Sequence, residues 1–74
     1  MSYCRFHNTL FDLRDCISAM DNLETTSNRE LESMERLITI FVDFLNNQGV
    51  EIDQDQVSEM IEDLKRNMKE EAEE

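Results

Sequence analysis

Apolar residues recur at helical intervals in three separate stretches of the chain. Phe6, Leu10, Leu13, Ile17 and Met20 are spaced 4,3,4,3, and Leu31, Met34, Ile38, Phe41 and Leu45 are spaced 3,4,3,4. Val57, Ile61, Leu64 and Met68 are spaced 4,3,4. Steps of three and four place each set on one stripe of a helix, close to the 3.5-residue seam of a coiled coil or bundle. The segments between them supply helix ends. Ser27-Asn28-Arg29-Glu30 reads as a capping box, in which the Ser27 hydroxyl accepts from the Glu30 amide and the Glu30 carboxylate reaches back to Ser27. Asp53-Gln54-Asp55-Gln56 offers the same arrangement, with Ile52 and Val57 at staple spacing. Gly49 stands where a left-handed residue would end the second helix. These signals predict helices over 4–22, 28–48 and 54–70, with 70–74 a frayed, solvated acidic tail, and no internal repeat.

The expected fold is all-α, a small three-helix protein in which a helical hairpin is joined by a third helix, and 1–74 form a single helical domain. Composition agrees, since the chain has no Pro, no Trp and one Gly, too little punctuation for a many-turned β-sandwich. Phe11, Leu37, Val42, Phe44 and Met60 lie off the stripes. Three short helices cannot easily cover all of them, and domains this small often gain the missing burial by self-association. A homo-oligomeric bundle is therefore expected.

Charge narrows the partners. The net charge is −11, and residues 50–74 alone carry three basic and ten acidic side chains. A protein that grips nucleic-acid phosphates usually presents a basic face, so no general DNA or RNA binding is expected. A small anion held by a few local arginines is compatible with distant, screened acidity. No apolar run approaches the roughly 20 residues that span a bilayer, and the N-terminus lacks the basic-then-apolar layout of a secretion signal. No membrane association is expected. Cys4 and Cys16 are expected to be reduced thiols, half-buried as small hydrophobes.

The chemistry concentrates at the start of the chain. On a helix beginning near Tyr3, the side chains of Tyr3, His7, Phe11 and Arg14 fall within roughly 80° of one another, beside the apolar stripe. Two rings, an imidazole and a guanidinium could stack a base and pair with a phosphate. Arg5, Asn8 and Thr9 add donors and acceptors nearby in sequence. The plainer alternative makes Tyr3 and Phe11 interface packing, with His7 and Arg14 as its polar rim. Cys4-x-x-His7 with Cys16 and Asp12 or Asp15 could supply zinc ligands, but small zinc domains usually show two compact ligand pairs, so no metal and no cofactor are expected. Asp53, Asp55 and Glu62 superficially suggest a calcium loop, yet the central glycine is missing, and capping accounts for these acids better. There is no Gly-rich phosphate loop and no convincing nucleophile–base arrangement, so catalysis is not expected. In the third segment Lys65 and Lys69 are spaced to pair with Glu62 and the acids at 70–73. Arg29 and Arg36, seven apart on one face, could meet Arg5 or Arg14 of another subunit or pair with Glu32.

The opening Met1-Ser2-Tyr3-Cys4-Arg5-Phe6-x-Asn8-Thr9-x-x-Asp12-Leu13-x-Asp15-Cys16 resembles the N-terminus of a family of very small tailed-bacteriophage proteins. The resemblance covers roughly the first 16–20 residues. Members tend to continue with an arginine-rich second segment, whereas Glu30-Leu31-Glu32-Ser33-Met34-Glu35-Arg36 is distinctly more acidic. The resemblance implies a phage origin, residence in the host bacterial cytoplasm and a non-structural accessory role. Small helical phage accessory proteins include sponges, oligomers that sequester the cyclic nucleotide signals of bacterial immunity. This chain is similar to that class in size and expected self-association. Two functions follow as expectations: a ligand-sequestering oligomer using Tyr3, Arg5, His7, Asn8, Thr9, Phe11 and Arg14, or an acidic inhibitor or adaptor that binds a basic host protein through its third helix.

Overall fold

A computed structural model describes residues 4–69 of the chain. The order is α1 (Arg5–Asp21), α2 (Asn28–Asn47) and α3 (Gln54–Met68), with no strand among the described residues. The helix bounds match the expected ones to within two residues at each end. Tyr3 and the acidic segment 70–74 lie outside the described residues.

The helix ends follow from local chemistry. Ser27 Oγ accepts from the Glu30 amide at 3.2 Å, which satisfies one of the orphan donors at the start of α2. Among the described residues the Glu30 carboxylate makes no return bond, so only half of the expected box forms. Asp53 Oδ1 accepts from the amides of Asp55 (3.0 Å) and Gln56 (3.2 Å) and caps α3. Ile52 and Val57 are both half-buried, as a hydrophobic staple requires. Gly49 adopts φ +93°. Its amide donates to the Asn46 carbonyl at 3.1 Å and the Val50 amide donates to Leu45 at 3.0 Å, which is the Schellman pattern. The end of α1 repeats this geometry without a glycine. Leu23 sits at φ +51°, its amide donating to Met20 and that of Glu24 to Ala19.

α2 and α3 pack against each other, and among the described residues the buried ones, Leu31, Val42, Ile61 and Met68, lie on these two helices. Glu35 and Lys65 bridge the two helices at 2.9 Å. The Thr26 amide donates to the Met68 carbonyl at 2.8 Å, tying the α1–α2 connection to the end of α3. The C-terminal half of α1 approaches the start of α2, with Cys16, Ala19 and Met20 across a groove from Met34 and Leu37.

Several expected burials are overturned. Phe41, placed on the α2 stripe, is 57% exposed, while its neighbour Val42, placed off the stripe, is buried. The packing face of α2 runs Leu31, Glu35, Ile38, Val42 and Leu45, spaced 4,3,4,3, so it keeps the expected period but is turned about 40° around the helix from the expected stripe. No residue of α1 is buried. Phe6 is 85% exposed, and Leu10 and Ile17 are nearly half exposed, although all three belong to its stripe. Both cysteines are exposed rather than half-buried, because α1 has too little packed against it to cover them. Lys65 turns across to Glu35 of α2 instead of pairing along its own helix, and Arg66 takes Asp63 at 2.8 Å.

Candidate functional site

α1 carries the chemistry singled out above, and its helical path fixes which groups can act together. His7, Phe11 and Arg14 fall within an arc of about 60° at 3.6 residues per turn. The rings of His7 and Phe11 meet edge to face with centroids 4.8 Å apart and planes at 90°. Arg14 continues the row one turn on and borders a shallow depression with Ile17, Ser18, Asp21 and Asn22. All three side chains of the row are exposed. Arg5 and Thr9 are also exposed but belong to the other side of the helix, since nine residues rotate Arg5 about 180° from Arg14, while exposed Asn8 lies between the two, about 60° from Phe11 and from Arg5. Within one chain, therefore, α1 offers two half-sites: an aromatic–imidazole–guanidinium row on one side and a guanidinium with a hydroxyl on the other, with the Asn8 amide between them. The depression beside Arg14 includes none of Arg5, Asn8 and Thr9.

Helical rise also bears on metal binding. Cys16 lies twelve residues from Cys4, about 18 Å along the axis at 1.5 Å per residue. That distance exceeds one coordination sphere and the Cα separation of roughly 7 Å that limits a disulfide. Among the described residues no three His, Cys, Asp or Glu side chains converge as a metal site.

A second groove lies elsewhere, and of the candidate binding and metal residues on α1 it includes Cys16 alone. It holds about 210 Å³ between the end of α1, the connection at Glu24–Thr26 and the start of α2. Met20, Met34, Leu37 and Met68 make its apolar lining, and Glu24 and Glu30 stand on it. Two carboxylates over an apolar floor repel an anion, so the groove is no phosphate site. Sequence gave no signal for it, because it depends on the connection folding back onto the end of α3. Arg29 and Arg36 are exposed, and neither makes an ion pair with Glu32 or any other described residue.

Electrostatics on α3 are set by pairing. The Lys65 ammonium is held above its ordinary value of 10.5, first by its hydrogen bond to Glu35 and then by the charge of that carboxylate, against a small opposing effect of desolvation. No described helix is long and apolar enough to cross a membrane. No protein-family model, curated protein or solved structure matches the chain.

Proposed function

We propose that the chain is a phage accessory protein that self-associates and sequesters a nucleotide second messenger of the cyclic-oligonucleotide type without cleaving it. One observation carries the proposal: α1 has an apolar stripe but no buried residue, and its binding-type side chains are split between its two sides. Covering the stripe of Phe6, Leu10 and Ile17 with neighbouring copies would bring the Phe11/His7/Arg14 side of one α1 toward the Arg5/Thr9 side of another. In such a shared site Phe11 stacks on a base, with Tyr3 joining it on sequence grounds. His7, Asn8 and Thr9 hydrogen-bond to ribose or base edges, and Arg5 and Arg14 pair with phosphates. Sequestration requires tight binding and no turnover, so it asks for no catalytic group.

Native mass spectra after incubation with a pool of cyclic di- and trinucleotides test this. An oligomer carrying nucleotide-sized mass increments is expected, and Arg14→Ala should remove the increments while leaving the oligomer. No added mass overturns sequestration. Unchanged affinity in both Arg14→Ala and Arg5→Ala overturns the residue assignment.

A second reading is favoured by α3, where Lys65 turns inward to Glu35 and Arg66 is occupied by Asp63. The outer face of α3 then presents Glu59, Glu62 and Asp63 to solvent, which suits an inhibitor or adaptor docking on a basic host protein. Capture of a basic host protein at low salt, lost in the Glu59→Gln, Glu62→Gln, Asp63→Asn variant, is the expected result. Capture unaffected by that variant excludes this face.

A further inference from the structure

α2 has two apolar faces, and among the described residues the second stays largely exposed, with only Leu37 at its edge bordering the groove beside α1. The first packs on α3. The second consists of Leu37, Ile40, Phe41 and Phe44, which are 41%, 65%, 57% and 52% exposed. Their spacing of 3,1,3 places them within about 100° of one another, roughly 120° around the helix from the α3-facing residues. Phe41 and Phe44 stack with centroids 6.1 Å apart and planes at 28°, so part of the patch is already organised.

We propose that this face binds the same face of a second copy, with the two α2 helices antiparallel about a two-fold axis between residues 40 and 41. The partner is argued from symmetry and charge. Reversal about that point exchanges Leu37 with Phe44 and Ile40 with Phe41, so the apolar pattern maps onto itself, as an isologous interface demands. Arg36 and Asp43 lie together on one edge of the patch, seven residues apart. A two-fold axis perpendicular to both helices keeps that edge on the same side in each copy while reversing its direction. Arg36 of one copy then faces Asp43 of the other, twice, with an axial offset of about 3 Å. A parallel pair, related by an axis along the helices, would place the two Arg36/Asp43 edges on opposite sides of the interface and form neither pair.

The area is adequate for a concentration-dependent pair. The four side chains expose on the order of 400 Å² per copy, taking a large side chain as about 200 Å². Pairing removes about 800 Å², and the flanking Ser33, Arg36, Asp43 and Asn47 bring the total toward the roughly 1,200 Å² at which specific interfaces begin. The pair deepens the self-association half of the proposed function but does not depend on any nucleotide.

Disulfide trapping tests it in a chain with Cys4→Ser and Cys16→Ser. Oxidising an equimolar mixture of Leu37→Cys and Phe44→Cys chains should give the mixed cross-linked dimer. Neither variant alone should cross-link, since its two thiols would lie about 10 Å apart along the axis. Cross-linking of each variant with itself indicates parallel packing and overturns the proposal, as does no cross-link in any sample. In sedimentation velocity, Arg36→Asp and Asp43→Arg should each weaken pairing several-fold, and the double variant should restore it. Failure of the double variant to recover overturns the charge assignment. A wild-type chain that stays monomeric at several hundred micromolar overturns the pair and leaves the face to a different protein. Loss of nucleotide binding with cross-linking intact would count against the proposed function alone.

Discussion

Phe41 and Val42 are adjacent, and their burial is the reverse of what the 3,4,3,4 stripe through Leu31, Met34, Ile38, Phe41 and Leu45 assigns. The consequence is measurable. Val42→Ala should cost about 1.5–2.5 kcal/mol of unfolding free energy, from lost burial and the cavity left between α2 and α3. Phe41→Ala, measured at concentrations low enough to keep the chain monomeric, should cost less than about 0.5 kcal/mol. Urea melts of the two variants decide the order. Leu23 offers a second test, since a β-branched residue in the left-handed region is a genuine outlier. Leu23→Ile conserves volume yet should destabilise by about 1 kcal/mol, a fall of several degrees in Tm. Lys65 gives the pH dependence. Its folded-state pKa is raised, so its contribution is fully present below the unfolded value of 10.5 and disappears as pH rises through the higher folded value. Wild type should lose stability above about pH 10.5, and Lys65→Met should show a smaller loss in that window.

Among the elements, α2 and α3 hold the core and α1 does not. Among the described residues all the buried ones belong to α2 and α3, and each of these helices begins with a side-chain cap. The N-cap position of α1 is Cys4, which makes no side-chain capping bond. With few buried apolar contacts and an open first turn, α1 should occupy the low end of local stability. Hydrogen exchange at low micromolar concentration should show α1 amides exchanging faster than those of α2 and α3. Raising the concentration should slow α1 exchange if copies cover its stripe. Equal protection of all three helices at high dilution would show that α1 needs no neighbour.

For the whole molecule, shape and charge act in opposite directions. A compact chain of this length would have a radius of gyration of about 11 Å, whereas this one has 14.2 Å and extents of 47 × 34 × 18 Å. An extended chain with apolar residues exposed on all three helices favours association. A net charge of −11 opposes it through self-repulsion. Salt screens that repulsion, so both the oligomeric fraction and the thermal midpoint should rise as ionic strength increases from about 0.01 to 0.15 M. The Arg36–Asp43 pairs proposed across the two-fold axis would weaken with salt. A fall in both quantities over this range would overturn net repulsion as the dominant effect.

The sequence by itself determined what depends on near neighbours. Helix number, helix ends, the Ser27 and Asp53 caps and the left-handed Gly49 all rest on groups a few residues apart, whose chemistry is legible in order. The candidate row His7, Phe11 and Arg14 was legible for the same reason, since helical rotation alone brings it to one side. Only the tertiary structure decided which apolar face of α2 meets α3, that Lys65 reaches Glu35 thirty residues away, and that α1 is left almost uncovered. Two apolar faces on one helix look alike in sequence. Which of them is buried depends on where the connections let the next helix return, and the return of α3 is fixed by Gly49, Asp53 and the hydrogen bond from Thr26 to Met68.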